Sequence, residues 1–221
     1  MTYLEIVNKV LRGLRENTVL GVTAGYAAFI GQLVNEVKTD IEDMGPWYAL
    51  RTTVTGTLVA GTAEVNLTAS TNERSYLLLD GSGRAQAWIT TADEERRLSV
   101  LSEAEMDHIQ TIDPGADQNV PYFISLRRTN DGLVATLYPT PDAAYTYKFQ
   151  FVVPQAELTA ATTELLIPSE PVWREALVRA MEERGEEFSG SLDRHARRAN
   201  AALNAALMRD FMADNMTVQV R

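Results

Sequence analysis

The spacing of apolar residues changes along this chain, and that change restricts the possible folds more than any other feature. Near the N-terminus, apolar residues recur every three or four positions, as on one face of a helix. The same spacing returns near the C-terminus, whereas residues in the middle alternate with a period of two, as in a strand with one buried face. The sequence therefore predicts helices from both ends of the chain and a β-rich region between them.

Two helices are predicted in the N-terminal region. Thr2 and Glu5 have the spacing of a capping box, in which each side chain caps the backbone N–H of the other residue. The first helix then carries an apolar face of Leu4, Val7, Leu11 and Leu14. The second carries Tyr26, Ile30, Leu33, Val34, Val37 and Ile41, and it ends near Gly45-Pro46. Both faces must be buried, and we expect the C-terminal helices to cover them.

Two further helices and a tail are predicted from Pro168 to Arg221. The first helix has an apolar stripe of Trp173, Leu177, Ala180, Met181 and Phe188. Ser189-Gly190-Ser191 separates it from a second helix with six alanines between Ala196 and Ala206, which favour the helix and keep it thin. Beyond residue 213, Met216, Val218 and Val220 alternate, so the tail either adds as a strand to a partner's sheet or frays.

Short strands are predicted in the first part of the middle region. The stretch from Leu50 to Leu67 is rich in Thr and Val and suggests two strands. Tyr76 to Leu79 reads as a buried strand, and Arg84 to Thr90 is expected to pair near it with Trp88 facing inward. Ser102 to Gln110 is either a short helix capped by Ser102 or a solvated connection.

The clearest strand pattern runs from Pro121 to Val153. Asn130-Asp131-Gly132 supplies a hairpin turn, because Asp-Gly tolerates a positive φ. Pro139 to Asp142 makes a second turn, and alternation then holds from Tyr145 to Val153. These turns predict an antiparallel meander of three strands.

The fold class predicted is α+β. Residues 1–46 and 168–213 form a helical bundle, residues 47–167 form an inserted antiparallel β-sandwich or barrel-like domain, and residues 214–221 form a polar, extended tail.

Composition and charge exclude several classes of protein. The chain has 221 residues, no cysteine and a formal net charge of −10, so we expect neither a disulfide framework nor a nucleic-acid grip, which needs clustered Lys and Arg. Its start has no signal-peptide pattern and no stretch is long enough to span a membrane, so we expect no membrane association.

No catalytic, cofactor or metal motif is visible. His108 and His195 lie in different segments without zinc-site spacing, and the chain has no nucleophile elbow, P-loop or dinucleotide-binding fingerprint. We therefore expect no enzyme activity, no cofactor and no metal. A hydrolase that uses Glu186, Glu187 and His195 is a remote alternative.

One resemblance covers most of the chain. Its residues are the opening Met1 to Arg12, the segment Val34-Asn35-Glu36-Val37-Lys38, Trp47, Pro168 to Trp173, Glu182 to Glu187, and His195 to Asp210 in the order H-x3-A-x3-L-x6-D. With the β-rich middle, this order resembles the head-to-tail adaptors of short-tailed bacteriophages. Gly13 and Gly31 inside predicted helices depart mildly from that pattern.

The resemblance implies a structural protein of the virion neck, assembled in the host cytoplasm. Such adaptors form a ring, commonly of twelve copies, beneath the portal; the ring extends the channel through which DNA passes and carries nozzle or other tail proteins, for genome retention and ejection. Another tail or tail-completion protein is the alternative. The residues expected to bind the portal are Leu192, His195, Leu203, Leu207, Phe211, Met216, Val218, Val220 and Arg221. Those expected at the ring interface are Glu186, Glu187, Arg194, Arg197 and Arg198.

Overall fold

The computed structural model of the protein describes residues 1–92, 94–112, 118–185 and 190–218, with only the backbone of residues 214–218. The chain forms two compact units, Met1–Leu50 with Gln155–Arg221 and Arg51–Pro154. The helices are α1 (Tyr3–Gly13), α2 (Gly25–Glu42), α3 (Glu103–Ile112), α4 (Ser169–Glu183) and α5 (Gly190–Val218), with a 3-10 turn at Tyr48–Leu50. The predicted α+β class, with helices from both ends and antiparallel sheets between, is confirmed.

Helix α4 is the centre of the helical unit, since it packs against α1, α2 and α5. Its Val172, Ala176 and Leu177 are buried. Helix α1 begins with the predicted capping box: the Thr2 N–H donates to Glu5 Oε2 at 2.9 Å, and the Glu5 N–H donates to Thr2 Oγ1 at 3.3 Å. The helical bundle expected from the sequence stays a prediction beyond these pairwise contacts.

Two glycines that weaken the predicted helices allow close packing in this unit. A Cβ on Gly13 would lie 2.7 Å from Cδ2 of Leu177, which is buried on α4. A Cβ on Gly31 would overlap the hydroxyl oxygen of Tyr3. Each glycine therefore exchanges local helix stability for an approach between two segments that a larger residue would prevent.

The segment that returns from the strands is bonded to α2. Asn35 Nδ2 donates to the Leu158 carbonyl at 3.1 Å, and the Leu158 N–H donates to Asn35 Oδ1 at 2.9 Å. Lys38 Nζ lies 3.0 Å from Glu42 Oε2 and donates to the Gln155 carbonyl at 2.6 Å. The Gln155 N–H in turn donates to Glu42 Oε1 at 3.3 Å. The buried Lys38–Glu42 pair thus binds both the backbone carbonyl and the backbone N–H of Gln155.

The second unit is built from two sheets. Its strands are β1 (Arg51–Thr57), β2 (Glu64–Asn66), β3 (Tyr76–Leu77), β4 (Ala87–Thr90), β5 (Glu95–Arg97), β6 (Ser99–Val100), β7 (Phe123–Thr129), β8 (Gly132–Tyr138) and β9 (Thr146–Val152). One sheet has the order β1-β9-β4-β5, with β3 also paired to β9, and the other has the order β2-β8-β7-β6. The pairs are antiparallel except β6 with β7. One apolar core joins residues of both sheets, such as Phe149 and Leu137, as in a β-sandwich.

The structure confirms one of three expectations about this unit and corrects the other two. The helix interpretation of Ser102 to Gln110 is confirmed, because Ser102 and Glu105 form a capping box at the start of α3. The predicted meander is wrong: β7 and β8 form the hairpin, but β9 belongs to the other sheet. Trp88 does not face inward, because its neighbours Ala87 and Ile89 fill the core. Its ring instead lies between the Arg97 guanidinium and the Lys148 ammonium.

The predicted extended tail also needs correction. Helix α5 continues to Val218, so residues 214–218 are helical, and residues 219–221 lie outside the described part of the chain. The alanine-rich helix before residue 214 provides a reason, because adding a residue to an existing helix costs far less than starting one. Alternating apolar residues at the end of such a helix are weak evidence for a strand.

Replacing Gly132 by alanine should destabilise the second unit. Gly132 has φ +144°, and a Cβ there would lie 2.8 Å from the Thr71 carbonyl oxygen. We expect Gly132→Ala to lower the free energy of unfolding by about 1–3 kcal/mol, measured by urea denaturation. The control is Gly45→Ala, where a Cβ meets nothing within 4 Å. Equal stability of the two variants would contradict the strain at Gly132.

Candidate assembly surface

The Asp210 side chain connects the C-terminal half of α5 to the turn that follows α2. The Tyr48 backbone N–H donates to both carboxylate oxygens of Asp210, at 3.0 Å to Oδ1 and 3.1 Å to Oδ2. Tyr48 opens the 3-10 turn that follows α2. Asp210 therefore sets the position of α5 about five and a half turns after the helix begins at Gly190, and the residues next to it are held in a defined place.

A seam of small residues packs α5 against the unit. Leu192, Ala199 and Ala206 are its buried residues, with exposed fractions of 8%, 2% and 4%. They are spaced seven residues apart, which keeps them on one face of the helix. Alanine at two of the three positions lets α5 lie close to α4, with which it makes its main contact. The opposite face of α5 is left to the outside.

That opposite face, which we call the outer face of α5, has two chemically different parts. Arg194, Arg197 and Arg198 lie near its start, and all three side chains are exposed. Met208, Phe211 and Met212 occupy the equivalent positions fourteen residues later, about 21 Å along the axis. Their exposed fractions are 65%, 66% and 63%. Three exposed apolar residues at i, i+3 and i+4 are typical of a helix that docks a partner.

Bonds to the described part of the chain do not explain these arginines. None of the three forms an ion pair with any residue in the described ranges. The helix dipole favours anions at this end of a helix, so cations gain nothing from it. Burial lowers the pKa of the His195 imidazole beside them, and the charges of Arg198, Arg194 and Arg174 lower it further. His195 is therefore neutral at pH 7.

An acidic groove lies between α2 and α4 in the same unit. It has a volume of about 480 Å³ and is lined by Leu33, Glu36, Arg179, Glu182, Glu183 and Gly185. Arg179 is bound to Asp40 at 2.6 Å, and its other carboxylate neighbour is Glu175 at 3.6 Å. The glutamates of the groove give it the sign opposite to that of the arginines on α5.

The residues predicted to bind a partner have different positions. Leu192 is buried and serves packing within the chain. His195, Leu203 and Leu207 are half-buried, and Phe211 is exposed. Met216 and Val218 belong to the last turns of α5. Val220, Arg221, Glu186 and Glu187 lie outside the described residues.

Sequence reasoning missed Met208 and Met212. A usable signal was present, since Met208, Phe211 and Met212 have the i, i+3, i+4 spacing and lie opposite the Leu192-Ala199-Ala206 seam. The seam follows from the spacing of its residues, but alanine suits both buried and exposed helix positions, so the spacing alone does not show which side of α5 stays exposed.

Among the described residues, no helix is long and apolar enough to cross a membrane. No group of three or more His, Asp or Glu side chains is arranged to hold a metal ion within the ranges given above.

The protein thus combines a helical unit, whose α5 exposes a face with a basic and an apolar part, with a sandwich inserted into the sequence of that unit. The chain matches the family described as SU10 adaptor protein over residues 1–221, and it belongs to that family. It is therefore a structural adaptor of a bacteriophage and a component of the virion, which confirms the resemblance found in the sequence. A search of curated proteins gave no match.

The lowered pKa of His195 predicts a dependence of stability on pH. A pKa below the unfolded value of about 6.5 means that the unfolded chain binds a proton more tightly. The contribution of neutral His195 to the free energy of unfolding is therefore fully present above pH 6.5, and it is lost as the pH drops toward the lowered pKa. We expect thermal melts between pH 7.5 and 5.5 to show this loss in the wild type and less of it in His195→Gln. Arg174→Gln should reduce it as well. Equal pH dependence in all three proteins would contradict the assignment.

Proposed function

We propose that this adaptor forms a closed ring beneath the portal, extends the DNA channel, and carries nozzle or other tail proteins below. The observation that carries the proposal is the outer face of α5, which is held in place by Asp210 and exposes Met208, Phe211 and Met212 in a chain of the adaptor family. Assembly in the host cytoplasm precedes incorporation into the virion neck.

The apolar end of the outer face is the portal-binding site in this proposal. Burying three large side chains of this kind removes most of their apolar surface from water, which is favourable by about 1.5–3 kcal/mol for each. A ring presents many copies at once, so weak single contacts add to a stable joint. The other residues predicted at the portal contact, His195, Leu203, Leu207, Met216, Val218, Val220 and Arg221, remain part of this proposal.

Replacing this apolar end should abolish portal binding without unfolding the protein. We expect Met208→Ser/Phe211→Ser/Met212→Ser to reduce capture by purified portal by about a hundredfold or more, measured by sedimentation of the complex, since surface of this kind gives several kcal/mol. The control is Met44→Ser, which removes an apolar residue with 54% exposure elsewhere in the helical unit. Undiminished capture of the triple variant, or capture by a tail protein and not by portal, would refute the site.

The ring contact joins unlike surfaces in this proposal. A closed ring needs a heterologous contact, in which one surface of each copy meets a different surface of the next. The arginines of α5 and the glutamates of the groove have opposite charge on one chain, and Arg194, Arg197 and Arg198 were already expected at this interface. We propose that the basic part of one copy's α5 faces the acidic groove of its neighbour, and Glu186 and Glu187 remain predicted residues of this interface.

A charge exchange tests this contact. We expect Arg194→Glu/Arg197→Glu and Glu182→Lys/Glu183→Lys each to weaken ring formation, because each places like charges across the interface. Combining all four substitutions in one chain should restore it. Analytical ultracentrifugation in the presence of portal, at low salt and at 0.5 M NaCl, measures the outcome, since screening weakens such contacts. Failure of the combined variant to recover the ring, with both parents impaired and folded, would contradict the pairing.

The net charge of −10 suits a channel through which DNA passes without binding. Carboxylates around a pore repel phosphate, and the resulting lack of adhesion favours sliding during packaging and ejection.

A further inference from the structure

Strand β1 forms an open edge of its sheet. Its seven residues, Arg51–Thr57, pair with β9 over the full length. The order β1-β9-β4-β5 places β1 at the end of the sheet, with no strand on its other side among the described residues. Each second residue of such a strand directs its backbone N–H and C=O away from the sheet.

The hydrogen bonds identify which residues point outward. The Leu58 N–H donates to the Tyr145 carbonyl at 2.8 Å, so bonded pairs recur every two residues and Val54 and Gly56 face β9. Gln150, opposite Thr53, uses its backbone groups on the other side of β9, with Leu78 and Gln86.

Thr53, Thr55 and Thr57 therefore direct their backbone groups to solvent. All three residues are exposed. No backbone hydrogen bond from these outward groups to another part of the described chain is present.

This edge lacks the features that protect sheet edges. Natural edges are kept short, or carry charges, proline or a bulge, because unpaired strands associate. The other edges follow this rule: β5 has three residues, Glu95–Arg97, all charged, while β2 has three residues and β6 has two. Beyond Arg51, β1 has no charge and no proline, and its register has no bulge.

We propose that the β1 edge accepts an extended segment of a different tail polypeptide, which adds to the sheet as a further strand. Only a polypeptide backbone alternates donors and acceptors at the two-residue spacing of about 6.6–6.8 Å that this edge presents. This inference deepens the proposed function. It rests on that proposal for one step, which is the exclusion of a second copy of this chain as the added strand. The other described edges of the chain are too short to match seven residues, and pairing of β1 with β1 gives a two-fold dimer that cannot continue around a ring.

The side chains next to the edge define the chemistry of the segment. Thr55 is opposite Lys148, so the face that carries Thr53, Thr55 and Thr57 has a positive charge next to the edge, which favours a carboxylate there. On the other face, Val54 is opposite Phe149 at the margin of the core and favours an apolar residue. The segment accordingly alternates acidic residues with β-branched ones.

Amide hydrogen exchange tests the proposal with a defined probe. The probe is a synthetic peptide of alternating valine and glutamate, blocked at both ends. We expect excess peptide to slow exchange of the Thr53, Thr55 and Thr57 amides of the full-length protein by about tenfold or more, the factor given by one added hydrogen bond with its partner. The amides of Val54 and Gly56, already bonded to β9, should not change.

Two matched variants separate the backbone from the side chain. Thr55→Pro removes one outward donor and no bond to β9, and proline is tolerated at that position of an edge strand. Thr55→Val keeps the donor and changes only the side chain. We expect peptide affinity, measured by fluorescence anisotropy, to fall about tenfold in Thr55→Pro and to stay within about twofold in Thr55→Val. A peptide N-methylated on its bonding edge should lose binding to the wild type, which tests the same contact without altering the protein.

Several outcomes would overturn the proposal. These are unchanged exchange at saturating peptide, equal affinity of the N-methylated peptide, or a concentration-dependent dimer of the wild type that protects the same amides. The assay contains neither portal nor ring, so its failure leaves the ring proposal intact, and failure of the ring leaves peptide binding measurable.

Discussion

The buried pair of Lys38 and Glu42 holds the helical unit together at the point where the chain returns to it. Both side chains are almost completely buried, at 1% and 0% exposure, and both bind the backbone of Gln155. Removing one partner of such a pair leaves a charge without compensation in the interior, at a cost of about 3–5 kcal/mol. Asn35 makes two more bonds to Leu158 one turn earlier on α2. Together these contacts fix the return segment before α4 begins.

Several residues that carry the family resemblance make hydrogen bonds within the chain. Asn35 and Lys38 bind the return segment, Trp47 donates from its indole N–H to the Ile41 carbonyl at 2.7 Å, and Asp210 accepts from Tyr48. These contacts explain why such polar and aromatic residues stand at these positions. They also explain why the resemblance identifies the scaffold well and its partner contacts poorly. Those bonds fix the position of the outer face of α5 but do not involve its exposed side chains.

The sequence predicted elements well and their partners poorly. Period-two alternation showed that β9 has one buried face. Strands in either sheet of a sandwich have the same period, so the alternation could not assign β9 to one sheet or the other. Trp88 was placed inward on hydrophobicity, although its ring is stabilised outside by Arg97 and Lys148. Gly31 weakened a helix prediction, while in the structure it makes room for Tyr3. On α5, the seam could be read from the spacing, and the exposed methionines followed only once the buried side was known.

The first and last strands of the sandwich are direct neighbours, because Arg51 pairs with Val152. Tension applied to the chain on either side of this unit would therefore pull two adjoining strands apart from the same end. In that geometry the rungs of the ladder break one after another and do not share the load, so mechanical resistance is low. Under such a pull the sandwich would open from the end where Arg51 and Val152 meet.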